Sequence, residues 1–399
     1  MSILNNFSIF IKTRIEFGFG VSNNIGNEIK AIGFKSVFIV TDRNLIKLMI
    51  VDKILKSLEN QKICFTIFDE VEPNPHDKTV YKGVGLFNNH KHDLILAIGG
   101  GSVIDVSKAI SILASHGGEI YDYRVDRIPN SSQNYKEITN KVIPLIAITT
   151  TAGSGSEASP WCVITDTIRH YKLAIFSPYI YPSLTLVDPD LMYSISPDVT
   201  AEGGMDALSH AIESYISTKS NSFSEAYAIQ AIKMIGENLV KAVRDGGNKF
   251  ARANMANASI MAGLAATLGD CHAVHNIAEA IGGMYDTSHG LLCGRLLPIV
   301  MDYDFSFIQS RLSDIALAFG LYPNSEISNE EFALLAIKKV NTLIEDSNLK
   351  KINDVIKIKP DFDKIVEMSC IYLSTSSSPR SMTKDDYLIL VKRLFNHNY

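Results

Sequence analysis

The 399-residue chain has no apolar run near the roughly 20 residues that a membrane span needs, and its longest apolar stretches, 142–148 and 260–268, stop well short. A membrane partner is not expected. It also has little net charge: 38 Lys and Arg stand against 43 Asp and Glu, a balance of −5. There is no broad basic surface to hold a nucleic acid. Cysteine is sparse, odd in number and never in CxxC spacing (Cys64, Cys162, Cys271, Cys293, Cys370). A disulfide framework is excluded, and buried thiols of a reduced compartment, with no catalytic role, are expected. The opening segment MSILNNFSIFIKTR lacks a basic stretch followed by an unbroken apolar one, which argues against a cleaved signal and for a cytoplasmic location. Internal repeats and low-complexity tracts are missing too.

What is present is a change of pattern along the chain, whose length points to two domains. From Ser36, short apolar runs (37–41, 64–68, 94–98, 142–149) alternate with amphipathic segments, as in βαβ units around a parallel sheet. After about Asp190, long Ala-rich segments at helical spacing replace them: 199–217, 222–245, 250–268 and 273–284. The reading is therefore an α/β domain over 1–191 and an all-helical domain over 192–399, divided near the prolines of 184–197. The polar stretch 115–140, with Gly117, Gly118, Pro129 and Asn130-Ser131-Ser132, reads as a surface loop or flap. Residues 374–381 read as a loop before a last helix that Thr383 and Asp386 cap.

Two turns carry a phosphate-binding signal. The apolar run 93–98 leads into Gly99-Gly100-Gly101-Ser102 and then a helical segment, 103–113. Glycines admit a pyrophosphate close to the backbone, and the N–H groups and dipole of a helix start favour its charge. The spacing is not GxGxxG, and a flexible turn explains GGGS equally well. A second turn, Thr149 to Glu157 (TTTAGSGSE), follows the run 142–148, and two such turns in one parallel sheet point to a dinucleotide site. Asp42 ends the run 37–41, where a carboxylate binds a ribose hydroxyl and repels a 2′-phosphate, favouring NAD(H) over NADP(H); the alternative is an N-cap for the helix that follows.

The helical half carries a metal signal. Asp206 and His210, four apart in GMDALSHAIE, project from one helix face, and His272, His275 and His289 follow. Four of the ten histidines thus lie between 210 and 289. Three imidazoles and a carboxylate suit a divalent first-row ion, with Fe²⁺ and Zn²⁺ both admissible. Such an ion polarises a carbonyl oxygen or stabilises an alkoxide while hydride passes to or from a nicotinamide.

At this point the chain resembles the iron-containing, or group III, alcohol dehydrogenase family from FGFG at 17–20 to the last helix. The matching stretches are DLILAIGGGSVIDVSKAI (93–110), TTAGSGSE (150–157), LVDPDL (186–191), AEGGMDALSHAIESYIS (201–217) and AVHNIAEAIGG with TSHG (273–290). The resemblance implies a dinucleotide-binding domain, a helical metal domain and a cleft between them. It implies metal ligands at Asp206, His210, His275 and His289, choosing His275 over His272, with Fe²⁺ as the expected ion. Coenzyme contacts would fall on Asp42, Asn74, Gly99, Gly100, Gly101, Ser102, Asp105, Thr150, Thr151, Ser154 and Lys172. It also suggests a homodimer or larger homo-oligomer.

One position departs. Many members have a further histidine four residues after the third ligand, credited with proton relay; here it is Glu279. Glu279 either relays a proton or orients a neighbouring ligand, or it only pairs with a cation. The expected activity is interconversion of a small alcohol with its aldehyde or ketone. The alternatives are an enzyme of the dehydroquinate synthase or glycerol dehydrogenase type, or a non-catalytic NAD-binding relative. The lyase must grip a phosphorylated acid, yet 253–294 contains no Lys or Arg.

Overall fold

The computed structural model describes residues 6–126 and 135–396. Its contacts divide the described residues into two units, one of 10–126 and 135–194, the other of 6–9 and 195–396. Among the described residues no helix is long and apolar enough to cross a membrane.

The first unit runs β1 (Arg14–Phe17), α1 (Ile25–Ile32), β2 (Ser36–Val40), α2 (Arg43–Lys47), α3 (Asp52–Asn60), β3 (Cys64–Phe68), α4 (Asp77–Asn88), β4 (Leu94–Gly99), α5 (Gly101–His116), β5 (Leu145–Thr149), β6 (Trp161–Asp166), β7 (Tyr171–Phe176) and β8 (Leu184–Val187). Six strands form one sheet in the order β1-β8-β5-β4-β2-β3, every neighbouring pair parallel. β4 and β5 are apolar and buried along their whole length because helices cover both faces, and a parallel sheet has no solvated side. On one face, Ile25 and Ile29 of α1 and Ile54 and Leu58 of α3 pack with Ile39, Leu96 and Ile148 of the strands.

The topology has a switch point. From β2 the chain moves outward to β3 and then returns to β4 on the other side of β2, so the loops leaving β2 and β4 diverge. Ligands of open α/β sheets bind where strand order reverses, outside the carboxyl ends. Asp42 and Gly100 stand at those two ends.

The structure trims the run expected from 142, because Pro144 has no N–H to give the ladder and the strand opens at Leu145. Not anticipated were β1 and β8, which are only four residues each, and the separate antiparallel pair β6–β7. The stretch 115–140 is only partly a loop. α5 extends to His116, a 3₁₀ turn spans Ile120–Tyr123, and Ile120, Tyr123 and Ile138 are buried. Its part from 127 to 134, with Pro129 and Asn130-Ser131-Ser132, lies outside the described residues.

In the second unit the described elements are helical: α6 (Pro197–Ile216), α7 (Ser222–Arg244), α8 (Lys249–Gly269), α9 (Ala273–Tyr285), α10 (His289–Tyr303), α11 (Phe305–Ala318), α12 (Asn329–Asp346), α13 (Ile352–Val355), α14 (Phe362–Ser369) and α15 (Lys384–Asn396). Helix starts are set locally. The Ser196 side chain accepts from Val199 N with Pro197 in the first turn, Asn221 caps α7, and Asn248 caps α8. At α15, Thr383 and Asp386 bond reciprocally. Ala207, Ala211, Ala231, Ala258 and Ala265 are fully buried, so α6, α7 and α8 pack on small side chains.

Candidate functional site

α6 presents Asp206, His210 and Glu213 at i, i+4 and i+7, one buried face of the helix. α9 brings His275 to it, and α10 brings His289 as its first residue. α10 comes close because it is glycine where it meets α6. A Cβ at Gly290 would lie 2.3 Å from the Glu202 carbonyl oxygen, and one at Gly294 would lie 2.8 Å from Met205 Cβ. The result is a tight group. His289 Nε2 lies 3.5 Å and His275 Nε2 3.9 Å from Asp206 Oδ1. Candidate donor atoms of Asp206, His275, His289 and Cys293 all lie within 4.8 Å of one another, and those of His210, Cys271 and His275 form a second such set. His210 Nδ1 is 3.9 Å from Asp206 Oδ1, and its ring centroid is 4.4 Å from that of His275.

The polarity of this group calls for a cation. Asp206 Oδ1, His210 Nδ1 and His275 Nε2 are buried with no hydrogen-bond partner, an arrangement that costs free energy unless a charge compensates it. The donor set of carboxylate and imidazoles fits a divalent first-row ion. Burial alone would raise the Asp206 carboxyl, but the imidazoles of His210, His289 and His275 outweigh it and hold the group below its ordinary value. Burial lowers His210 to about 4, which keeps the ring neutral, with one nitrogen lone pair available, at neutral pH. Burial likewise pushes the Cys293 thiol up to about 12, which keeps it protonated at neutral pH.

Glu213 organises the group from behind. It is fully buried, and burial opposes its charge, yet His272, His275 and the Val274 N–H bring it down to about 2. The carboxylate accepts from Val274 N at 2.8 Å and from His275 Nδ1 at 2.5 Å, which fixes the tautomer and turns His275 Nε2 toward Asp206. Sequence reasoning missed Glu213, although its place one helical turn beyond His210 was a usable signal. It also passed over Cys293, four residues after His289 on the same helix face. His272 Nδ1 lies 3.1 Å from Glu213 Oε1 and is in neither donor set. Glu279 Oε1 lies 3.8 Å from His289 Nδ1.

In the first unit the two glycine-rich turns lie against each other. Thr150 N donates to Gly99 O at 3.1 Å, and a Cβ on Gly100 or Gly101 would meet Thr151 Oγ1 at 2.8 Å or Ser154 Oγ at 2.6 Å. Gly100 and Gly101 are required by this close packing. α5 begins at Gly101 without a side-chain cap, and Ser102 follows in its first turn. Lys108, fully buried on α5, donates to the carbonyls of Ser156 (2.7 Å), Ser159 (3.0 Å) and Trp161 (2.6 Å) and to Ser156 Oγ (2.9 Å). Asp105 accepts from Ser156 Oγ at 2.5 Å and Val163 N at 3.0 Å, contacts that tie it to the loop. Asp42 Oδ1 caps α2, accepting from Asn44 N and Leu45 N, and Oδ2 takes no part in the cap. Asn74, at φ 50°, sits in a loop whose Pro75 carbonyl accepts from Thr165 N. Lys172 is buried beside that point, opposite Thr165 in the β6–β7 pair.

Comparison with known proteins shows the family of both halves of the chain. The family model described as iron-containing alcohol dehydrogenase matches residues 12–189, and the model of the C-terminal part of the Fe-containing alcohol dehydrogenase family matches 200–395. The chain is similar to the 1,3-propanediol dehydrogenase of Citrobacter freundii, 36% identical over 382 residues that cover 95% of this chain and 96% of that protein. It is also similar to the NAD-dependent methanol dehydrogenase of Bacillus methanolicus, 33% identical over 392 residues (98% and 99% covered). Among solved structures, a 1,3-propanediol oxidoreductase superposes with a TM-score of 0.90 at 34% identity, covering 98% of this chain and 100% of that one.

Proposed function

Because this chain belongs to the iron-containing alcohol dehydrogenase family, we propose that Asp206, His210, His275 and His289 hold its metal and that the glycine-rich turns of its sheet hold its coenzyme. The protein is a metal- and NAD-dependent oxidoreductase acting on small alcohols. One observation carries the site assignment: Asp206 Oδ1, His210 Nδ1 and His275 Nε2 are buried without a hydrogen-bond partner, and His210, His275 and His289 all stand within 3.9 Å of Asp206 Oδ1. A divalent ion there supplies Lewis-acid polarisation of the substrate oxygen, and the nicotinamide exchanges hydride with the substrate carbon.

The chain's residues divide the remaining work. Glu213 keeps His275 in the ligating tautomer, and the neutral state of His210 keeps a second imidazole ready. Glu279, close to His289 Nδ1, orients that ring and takes up or returns the proton of the alcohol. Gly99, Gly100, Gly101, Ser102, Thr150, Thr151 and Ser154 receive the pyrophosphate at the start of α5. Asn74 and Lys172 sit where the β3–α4 loop meets the hairpin and complete the coenzyme contacts, while Asp105 serves by fixing the second turn. Asp42, standing at the switch point, favours NAD(H) over NADP(H). Fe²⁺ is the ion first in order and Zn²⁺ the second. Small primary alcohols lead the substrate classes, since the relatives named above act on 1,3-propanediol and methanol. The five unpaired cysteines support work in the reduced cytoplasm, and a homodimer or larger assembly is in keeping with the family.

A phosphate-gripping lyase is disfavoured because 253–294, the segment that carries His275 and His289, contains no Lys or Arg. The test is NADH oxidation by anaerobically Fe²⁺- or Zn²⁺-loaded protein against small aldehydes and ketones, repeated with NADPH and with Asp42→Ser, which keeps a cap but removes the charge. Metal-dependent oxidation, with the NADPH to NADH ratio raised in the variant, is expected. Coenzyme and metal binding without turnover would overturn the dehydrogenase reading, and an unchanged ratio would leave Asp42 a cap alone.

A further inference from the structure

We propose that Cys293 is a metal ligand in this chain, adding a thiolate to the carboxylate and imidazoles of the centre. The inference rests on the metal reading above and goes beyond it, because Cys293 is not among the ligands that the resemblance implies.

The geometry begins with α10. His289 and Cys293 are one turn apart and face the same way, and Gly290 and Gly294 let that face come down on α6. Cys293 is fully buried, with Sγ 3.4 Å from His289 Nε2. His289 Nε2 is itself 3.5 Å from Asp206 Oδ1, which is 3.9 Å from His275 Nε2. Neighbouring donors held about 2.0–2.3 Å from one ion stand about 3–4 Å apart, and the donor atoms of Asp206, His275, His289 and Cys293 lie within 4.8 Å of one another. The second thiol near the site, Cys271, groups with His210 and His275 alone and not with Asp206 and His289.

On ion binding, the Cys293 S–H bond breaks, its proton leaves to solvent, and the sulfur lone pair forms the bond to the ion. A soft thiolate in the set raises affinity for Zn²⁺ or Co²⁺ relative to the harder Fe²⁺, and so shifts the order of ions given above toward Zn²⁺. Together with the Asp206 carboxylate it also balances the charge of a divalent ion.

The experiment is anaerobic Co²⁺ substitution of the full chain, read by absorption. Visible ligand-field bands accompanied by an intense near-ultraviolet thiolate-to-cobalt band are expected in the wild type. In Cys293→Ser the near-ultraviolet band is lost while the visible bands remain, and Cys271→Ser keeps both. The preference for Zn²⁺ over Fe²⁺ falls about tenfold or more in Cys293→Ser. X-ray absorption of the Zn²⁺-loaded wild type needs no variant and is expected to contain a sulfur neighbour at about 2.3 Å. Visible bands without a thiolate band, or a thiolate band lost only in Cys271→Ser, would overturn the assignment of Cys293 and spare the metal centre. Failure to bind Co²⁺ and Zn²⁺ at all would overturn both.

Discussion

On the function proposed above, the sheet loops and the helical centre solve the same problem, holding a charged ligand, with opposite materials. The turns at Gly99–Ser102 and Thr149–Glu157 work through backbone, and what matters at Gly100 and Gly101 is the lack of a side chain. The centre proposed on α6, α9 and α10 works through side chains, and what matters is which atoms stand at Asp206, His210, His275 and His289. Each has a buried organiser of opposite charge: Lys108 behind the turns, Glu213 behind the imidazoles. A backbone site is therefore sensitive to added volume, and a side-chain site to altered chemistry.

The comparison predicts that the two sites fail independently. Glu213→Gln preserves volume but removes the charge behind His275, and metal affinity is expected to fall about 10- to 100-fold with NADH affinity unchanged. Competition against a chelator measures the first and fluorescence titration the second; a loss of both together would break the comparison. Gly100→Ala changes no charge but drives a methyl toward Thr151. Overpacking of this kind costs about 1–3 kcal/mol, so NADH should bind about tenfold more weakly while metal stoichiometry holds. Normal NADH affinity in that variant would mean that the turns have slack.

The smallest effect sharpens the contrast between the organisers. Burial pushes the Glu157 carboxyl up to about 7, from 4.5, against the opposing pull of Lys108. The folded chain thus holds a proton that the unfolded chain releases, and the stability linked to it is complete below the unfolded value and lost as pH rises to about 7. The loss runs at no more than about 1.4 kcal/mol per pH unit. Glu157→Gln, neutral throughout, is expected to melt a few degrees above the parent near about pH 8 and to match it near about pH 4. Thermal melts at both values check the sign, and equal curves at both would show that Lys108 already neutralises the group's burial.

Legibility followed the same division. The continuous apolar runs announced β2, β3, β4 and β5, because strands covered on both faces need no polar alternation. The Ala-rich segments announced α6 through α9. β1 and β8 stayed hidden because four residues carry too little pattern, and β6–β7 because its residues satisfy one hairpin and not the sheet's periodicity. At the centre, Asp206 and His210 were legible as a pair at helical spacing. Glu213 was not, since a lone glutamate in a helix is ordinarily solvated and only the approach of α9 gives it His275. Asp42 was read two ways, and the cap among them is there in the structure, drawn on one oxygen.

Lys108 has a consequence for how the coenzyme is received. A buried ammonium with four oxygens within 3.0 Å leaves the chain from Ser156 to Trp161 no freedom to rearrange. Ordering a loop residue costs about 1–2 kcal/mol of conformational entropy. On the coenzyme site proposed above, that cost is incurred when the protein folds, so an arriving dinucleotide meets a mould already set from Ser156 to Trp161 and gives up less of its affinity to shaping it.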